Sequence, residues 1–307
     1  MNRRTAIRRA ARVSAFLLVA VTVAACASGG GGGGGQITIP GPQPQTRTAG
    51  GYAGFDTGIY PGDAVMRAWR QTSPYQWVGY YLAAPCHRDA SWSGKREALV
   101  GMGWGTAVIY LGQQDWAAAP NRTPTPDSVR TDTTAAQPGP PAATASTPPA
   151  CSAANLSAAR GTTDAADAAA KAAAEGFPAG TVIYLDVERV TTVSPALADY
   201  VRSWVDGVLA DGRYTPGIYV HRLNADAIAA AARVAYGARG RAGEPPFWVT
   251  SSTGFSFELP PSASGVPYAD IWQGPLDVGE TWGGHPLQID VNIAAARSPS
   301  PPGQGTP

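Results

Sequence analysis

Eight short runs rich in β-branched and aromatic residues punctuate the chain, at 52–56, 76–82, 106–111, 181–188, 215–220, 247–250, 269–273 and 287–291. Between the first six lie stretches with helical patterning, at 62–71, 95–102, 157–175, 195–210 and 224–236. Repeated strand–helix units require a parallel sheet, because a parallel connection needs a crossover long enough to hold a helix. Eight strands in about 245 residues predict an α/β fold closed as a TIM-like (β/α) barrel. Helices are expected to be missing between the last three strands, whose connections are rich in Gly, Pro and Ser. A doubly wound open sheet is the alternative. Ser194-Pro195 predicts an N-cap followed by proline at the first helical position, and Thr163 is a candidate cap for the Ala-rich third helix.

The run Thr181–Glu188 carries the chemistry. Its alternation puts Tyr184, Asp186 and Glu188 on one face and Ile183, Leu185 and Val187 on the other. In a barrel the apolar face packs under helices, so the two carboxylates point inward at the C-terminal rim, where barrel enzymes place their catalytic groups. Their proximity is expected to raise the pKa of at least one of them, the condition for a general acid at neutral pH. Asp56 ends the first run and Asp290 lies in the last. Closure sets the first and last strands side by side, so Asp56, Asp186, Glu188 and Asp290 are expected to converge on one mouth. Rim carboxylates satisfied by arginines are the bland alternative. Tyr80, Tyr110, Tyr184, Tyr219, Trp248, Trp272 and Gln273 lie in the same runs and are candidates for a sugar-binding wall, with core packing as the competing role.

The N-terminus carries Arg3, Arg4, Arg8, Arg9 and Arg12 and no acid, followed by an apolar stretch from Val13 to Ala25. An apolar stretch of about 13 residues falls short of the roughly 20 that span a bilayer, which predicts a cleaved export signal over 1–25. Val23-Ala24-Ala25-Cys26 is similar to the bacterial lipobox, which makes Cys26 the expected lipid attachment point. Arg3-Arg4 matches a twin-arginine signal only in part, so the export route stays open. Seven consecutive glycines, Gly29–Gly35, and a Pro/Gln/Thr stretch then read as a tether over 26–50, ahead of a domain at 51–296 and a disordered tail at 297–307.

Composition excludes several classes. The chain has 23 Lys and Arg against 22 Asp and Glu; removal of the five signal arginines leaves 18 bases against 22 acids, a net −4. Without a basic footprint, nucleic acid is not an expected partner. His87, His221 and His285 are far apart and no paired-Cys or His-Glu-x-x-His spacing occurs, so neither a metal nor another cofactor is expected. No Gly-x-Ser-x-Gly elbow points to an α/β-type serine hydrolase. Once Cys26 is assigned to lipid, Cys86 and Cys151 remain as an even pair in an oxidising compartment, which predicts a disulfide; two buried free thiols are the alternative. The Pro-, Thr- and Ala-rich segment 113–150 interrupts the pattern after the third strand and reads as a surface insertion pinned at its base.

Gly54-Phe55-Asp56, Tyr184-Leu185-Asp186-Val187-Glu188, Ile271-Trp272-Gln273 and Ile289-Asp290-Val291-Asn292 occur in this order. Together they resemble the strand motifs of family 25 glycoside hydrolases, the lysozyme-type muramidases. The likeness is stronger to a glycoside-hydrolase-like domain of exported bacterial proteins, whose second-helix and third-strand segments are similar to Ser91-Trp92-Ser93-Gly94-Lys95-Arg96 and Ile109-Tyr110-Leu111-Gly112. It covers roughly residues 50–296. The resemblance implies that Glu188 is the general acid and that Asp186 assists the substrate or stabilises the cationic transition state, while Asp56 and Asp290 position the sugar. The expected protein is a monomer held outside the membrane through the lipobox-like Cys26, acting on cell-wall polysaccharide. A non-catalytic glycan-binding or scaffold lipoprotein using the same groove is the alternative.

Overall fold

A computed structural model describes residues 48–115 and 151–300. The expected signal, Cys26, the tether and most of the 113–150 insertion lie outside the described residues. Among these residues nine strands and five α-helices follow in the order β1 (Tyr52–Asp56), α1 (Asp63–Thr72), β2 (Trp77–Leu82), α2 (Arg96–Met102), β3 (Gly105–Leu111), α3 (Ala158–Ala174), β4 (Val182–Val187), α4 (Pro195–Asp211), β5 (Thr215–His221), α5 (Ala225–Ala238), β6 (Phe247–Thr250), β7 (Ala269–Gln273), β8 (Val278–Trp282) and β9 (His285–Ala294).

Strands β1 to β7 pair in sequence order and all in parallel. Strand β9 then pairs with both β7 and β1 and closes an eight-stranded barrel, with β8 added outside as the partner of β9 in a hairpin. Among the described residues no α-helix separates β6 from β9, as expected. The direction of the last barrel strand corrects the expected parallel sheet. β9 runs antiparallel to β7 and β1, because β8 and β9 are joined by the two-residue turn Gly283-Gly284, which reverses the chain; both glycines have positive φ.

The expected sidedness of β4 holds. Ile183, Leu185 and Val187 join the layer between barrel and helices, while Val182 and Tyr184 pack inside the barrel with Trp77, Ile109, Trp248 and Ile271. Helix α4 starts as its sequence predicts: the Ser194 hydroxyl accepts the Leu197 amide and Pro195 opens the helix. Helix α3 is capped by Ser157, which accepts the Arg160 amide, and not by Thr163, which lies inside the helix and donates to the Ala159 carbonyl. Small residues let α3 and α4 approach closely. A side chain at Gly161 would meet the Tyr200 carbonyl oxygen at 2.3 Å, so no larger residue fits there.

Residues 297–300 belong to the segment expected as the tail. Residues 297–300 run along the base of the barrel below the first β3–β4 ladder pair, Val108 and Ile183. There the Ser300 amide donates to the Thr106 carbonyl, the Ser300 hydroxyl donates to the Val182 carbonyl and accepts the Val108 amide, and the Ser298 hydroxyl accepts the Thr106 amide. The Tyr184 hydroxyl donates to the Pro299 carbonyl from inside. On the opposite side of the molecule from this base, Cys86 and Cys151 form the expected disulfide, with Cα atoms 4.9 Å apart.

Candidate active site

The C-terminal ends of β1 and β4 and the antiparallel β9 bring four carboxylates to one mouth. Asp56 ends β1 and is the register partner of Asp290 on β9. Asp186 sits near the end of β4 beside Tyr219 of β5, and Glu188 follows β4. All four act on one phenol: burial first, then the charges of Glu188, Asp186, Asp56 and Asp290, push the Tyr219 hydroxyl well above its usual pKa. Burial and the charges of Asp56, Asp186 and Asp290 do the same to Tyr81. Both phenols therefore remain protonated hydrogen-bond donors.

Asp56 is buried at the centre of a directed network. Its Oδ1 accepts the Tyr81 hydroxyl at 2.9 Å; its Oδ2 accepts Gln273 Nε2 at 2.9 Å and Asn292 Nδ2 at 2.8 Å. Each amide is oriented by its other end, because Gln273 Oε1 accepts the Tyr219 hydroxyl and Asn292 Oδ1 accepts Trp248 Nε1. Burial raises the Asp56 pKa to about 6 against these three donors, with Glu188 adding to the rise. The Asp290 carboxylate accepts the amide of Asp277 at 2.8 Å. Burial and then the Asp56 charge push Asp290 up to about 8. At this seam two carboxylates on adjacent strands face each other, and burial together with their mutual charge raises both. Asp277 reaches Asp290 from a left-handed backbone conformation, φ 54°, which Asp tolerates better than most residues.

An open cleft of about 520 Å³ lies over the ends of β4 to β7, with Glu188, Arg189, Tyr219, His221, Ser251 and Leu276 among its walls. Glu188 is partly exposed to it, whereas Asp56 and Asp186 lie buried beside it. The structure thus brings together Glu188, Asp186, Asp56, Asp290, Tyr219 and Gln273.

The other expected sugar-contacting aromatics are elsewhere. Tyr80 and Tyr110 face the helix layer, where their hydroxyls donate to Glu175 and Asp167. Tyr184 and Trp248 are buried inside the barrel with their ring centroids 5.7 Å apart. Trp272 packs outward against Phe255. These five fill core instead of the expected sugar-binding wall; of the aromatic candidates, Tyr219 lines the cleft. Every residue of β2 except Gly79 is apolar or aromatic, so its pattern does not show which of Tyr80 and Tyr81 points inward.

Four contributors carry no role in the sequence pattern. Tyr81 belongs to the other phase of β2. Asn292 stands two residues after Asp290 and so on the same face, which is a readable signal. Asp277 and Gln114 lie outside the expected strands; Gln114 Nε2 donates to the Asp186 carbonyl at 2.8 Å and its Oε1 accepts the Glu188 amide at 3.0 Å.

A parallel barrel sealed by one antiparallel strand, with carboxylates gathered at its mouth, is the architecture of a glycoside-hydrolase-like domain. The chain belongs to the family of the Rv2525c-like, glycoside hydrolase-like domain, whose pattern matches residues 67–294. Solved structures similar to it include the Mycobacterium tuberculosis Tat-secreted protein Rv2525c, at 16% identity over 79% of this chain and 95% of that one, with a TM-score of 0.45. They include the Clostridium perfringens spore cortex lytic enzyme SleM, at 11% identity over 80% of this chain and 68% of that one, TM-score 0.48. Another is GHIP, a glycosyl hydrolase 25 of Streptococcus pneumoniae, at 13% identity over 79% and 86%, TM-score 0.46. Comparison with curated proteins finds no match.

Proposed function

We propose that this chain is an exported, lipid-anchored envelope protein whose barrel hydrolyses or remodels a β-linked cell-wall glycan such as peptidoglycan. The observation that carries the reading is the position of Glu188, open to the cleft yet within electrostatic reach of Asp56, Asp290 and Tyr219. Glu188 protonates the glycosidic oxygen, and Asp186 assists the substrate or stabilises the positive charge that develops on the sugar. Asp56, held by three donors, fixes the floor of the mouth, and Asp290 keeps a proton there near neutral pH. Tyr219 and Gln273 position the substrate. Membership in a glycoside-hydrolase-like family supports the reaction class. The basic N-terminus, the apolar run and the lipobox-like Val23–Cys26 support export and attachment through Cys26.

Incubation of the full chain with purified cell-wall glycan, scored by released reducing ends, tests the reaction. The expected loss for Glu188→Gln is about 10²- to 10⁴-fold, the range that a general acid supplies. If neither protein releases reducing ends while both bind the glycan, the enzyme reading falls and a glycan-binding lipoprotein takes its place. Detergent-phase partitioning of Cys26→Ser tests the anchor, with transfer to the aqueous phase expected.

A further inference from the structure

The β3–β4 ladder ends at the pair Leu111 and Asp186, one residue short of Val187 and two short of Glu188. Glu188 follows β4 and lies beyond this last register pair. Gln114, buried at 1% exposure, fills this place with its side chain. Its carboxamide donates to the Asp186 carbonyl and accepts the Glu188 amide, as a neighbouring strand's peptide group would. These two backbone groups lie on one edge of the strand, because residues two apart in a strand point the same way. The adjacent Gln113 reaches in the opposite sense, across the base of the insertion: its Oε1 accepts the Ser152 amide and Asn155 Nδ2. Ser152 follows Cys151 of the disulfide, and the Cys86 amide donates to the Leu111 carbonyl. The base of the insertion and the end of β4, with Asp186 and the following Glu188, are therefore joined through two consecutive glutamines.

We infer that Gln114 is a positioning residue of the active site, which sets the placement of Glu188 by acting as a side-chain substitute for the missing strand partner. The inference rests on the glycosidase reading for its consequence but not for its geometry. A catalytic group displaced by about 1 Å costs on the order of 10²-fold in rate, so the loss of this clamp acts on turnover and spares glycan binding.

Two variants of the full chain test it. Gln114→Met keeps the volume and removes both hydrogen bonds; the expected result is a fall in kcat of about 10- to 100-fold at nearly unchanged KM. Gln114→Glu supplies a group that, once protonated, donates to the Asp186 carbonyl and accepts the Glu188 amide as the carboxamide does. Its ratio of activity to wild type is expected to rise as the pH falls, a rescue that a general loss of stability does not produce. Independently of activity, amide hydrogen exchange is expected to show the Glu188 amide losing protection in Gln114→Met, with Val182 to Leu185 unchanged. An unchanged kcat, or a Gln114→Glu ratio flat with pH, overturns the positioning role, as does an unchanged Glu188 exchange rate. An inactive wild type overturns the glycosidase reading alone, since the exchange rates still decide whether Gln114 holds this backbone.

Discussion

Asp56 and Asp290 face each other across the antiparallel seam that closes the barrel, as register partners on β1 and β9. Directly opposed side chains on such strands lie about 4.5–5.5 Å apart at Cβ, and like charges there oppose folding. Both carboxyls are raised above their usual value of 3.8, to about 6 and about 8. A raised folded-state pKa contributes stability that is fully present below the unfolded value, near 4, and lost as pH rises through the folded values. Asp290→Asn keeps an oxygen for the Asp277 amide and removes one charge of the pair. The variant is expected to melt about 2–4 °C above wild type near pH 8.5, the shift that roughly 1 kcal/mol produces in a domain of this size. The gain should vanish near pH 4, as followed by thermal unfolding across pH. A variant that melts below wild type at every pH would show that the seam is not governed by charge repulsion.

Gly79 leaves room for Asp56. A Cβ there would stand 2.5 Å from the Asp56 Cβ, so Gly79→Ala must shift Asp56 against Tyr81, Gln273 and Asn292. Overpacking of this kind costs about 1–3 kcal/mol, to be read from the denaturant midpoint, and glycan release should fall at least tenfold, on the order expected for a misplaced site. Gly101 in α2 meets nothing within 4 Å and is the control: Gly101→Ala should gain about 0.5–1 kcal/mol and leave release unchanged.

The Cys86–Cys151 bond joins residues 65 apart in sequence. In the chain-entropy account a loop of that length stabilises by about 4 kcal/mol. Replacing both cysteines by serine should lower the urea-derived stability by about that amount. A loss well under about 1 kcal/mol would mean that other contacts already hold the base of the insertion.

Removal of residues 298–307 takes away five hydrogen bonds that Ser298 and Ser300 make to Thr106, Val108 and Val182, and the carbonyl that accepts the Tyr184 hydroxyl. At about 0.5–1.5 kcal/mol for each net bond, truncation should destabilise by roughly 3–9 kcal/mol, with Ser300→Ala showing about 1–3 of it. Thermal unfolding of the three proteins measures this. Equal midpoints for truncated and full chains would show that the base of the barrel closes without the tail.

The sequence by itself determined what depends on neighbours along the chain. Period-two alternation in Thr181–Glu188 is a local property, and it specified which residues of β4 face inward before any partner strand was known. Ser194-Pro195 specified the start of α4 in the same way, through backbone groups that only a local side chain reaches. β8 was not legible, because Val278-Gly279-Glu280-Thr281-Trp282 mixes glycine and charge in a strand that lies outside the barrel. Neither was the phase of β2, where Tyr80 and Tyr81 are equally apolar and only closure of the barrel selects Tyr81 for the mouth. The opposition of Asp56 to Asp290 and the clamp of Gln114 on β4 join residues 234 and 72 to 74 positions apart. These were decided by the tertiary structure alone, because burial and charge repulsion act through space between groups whose separation along the chain carries no trace of their contact.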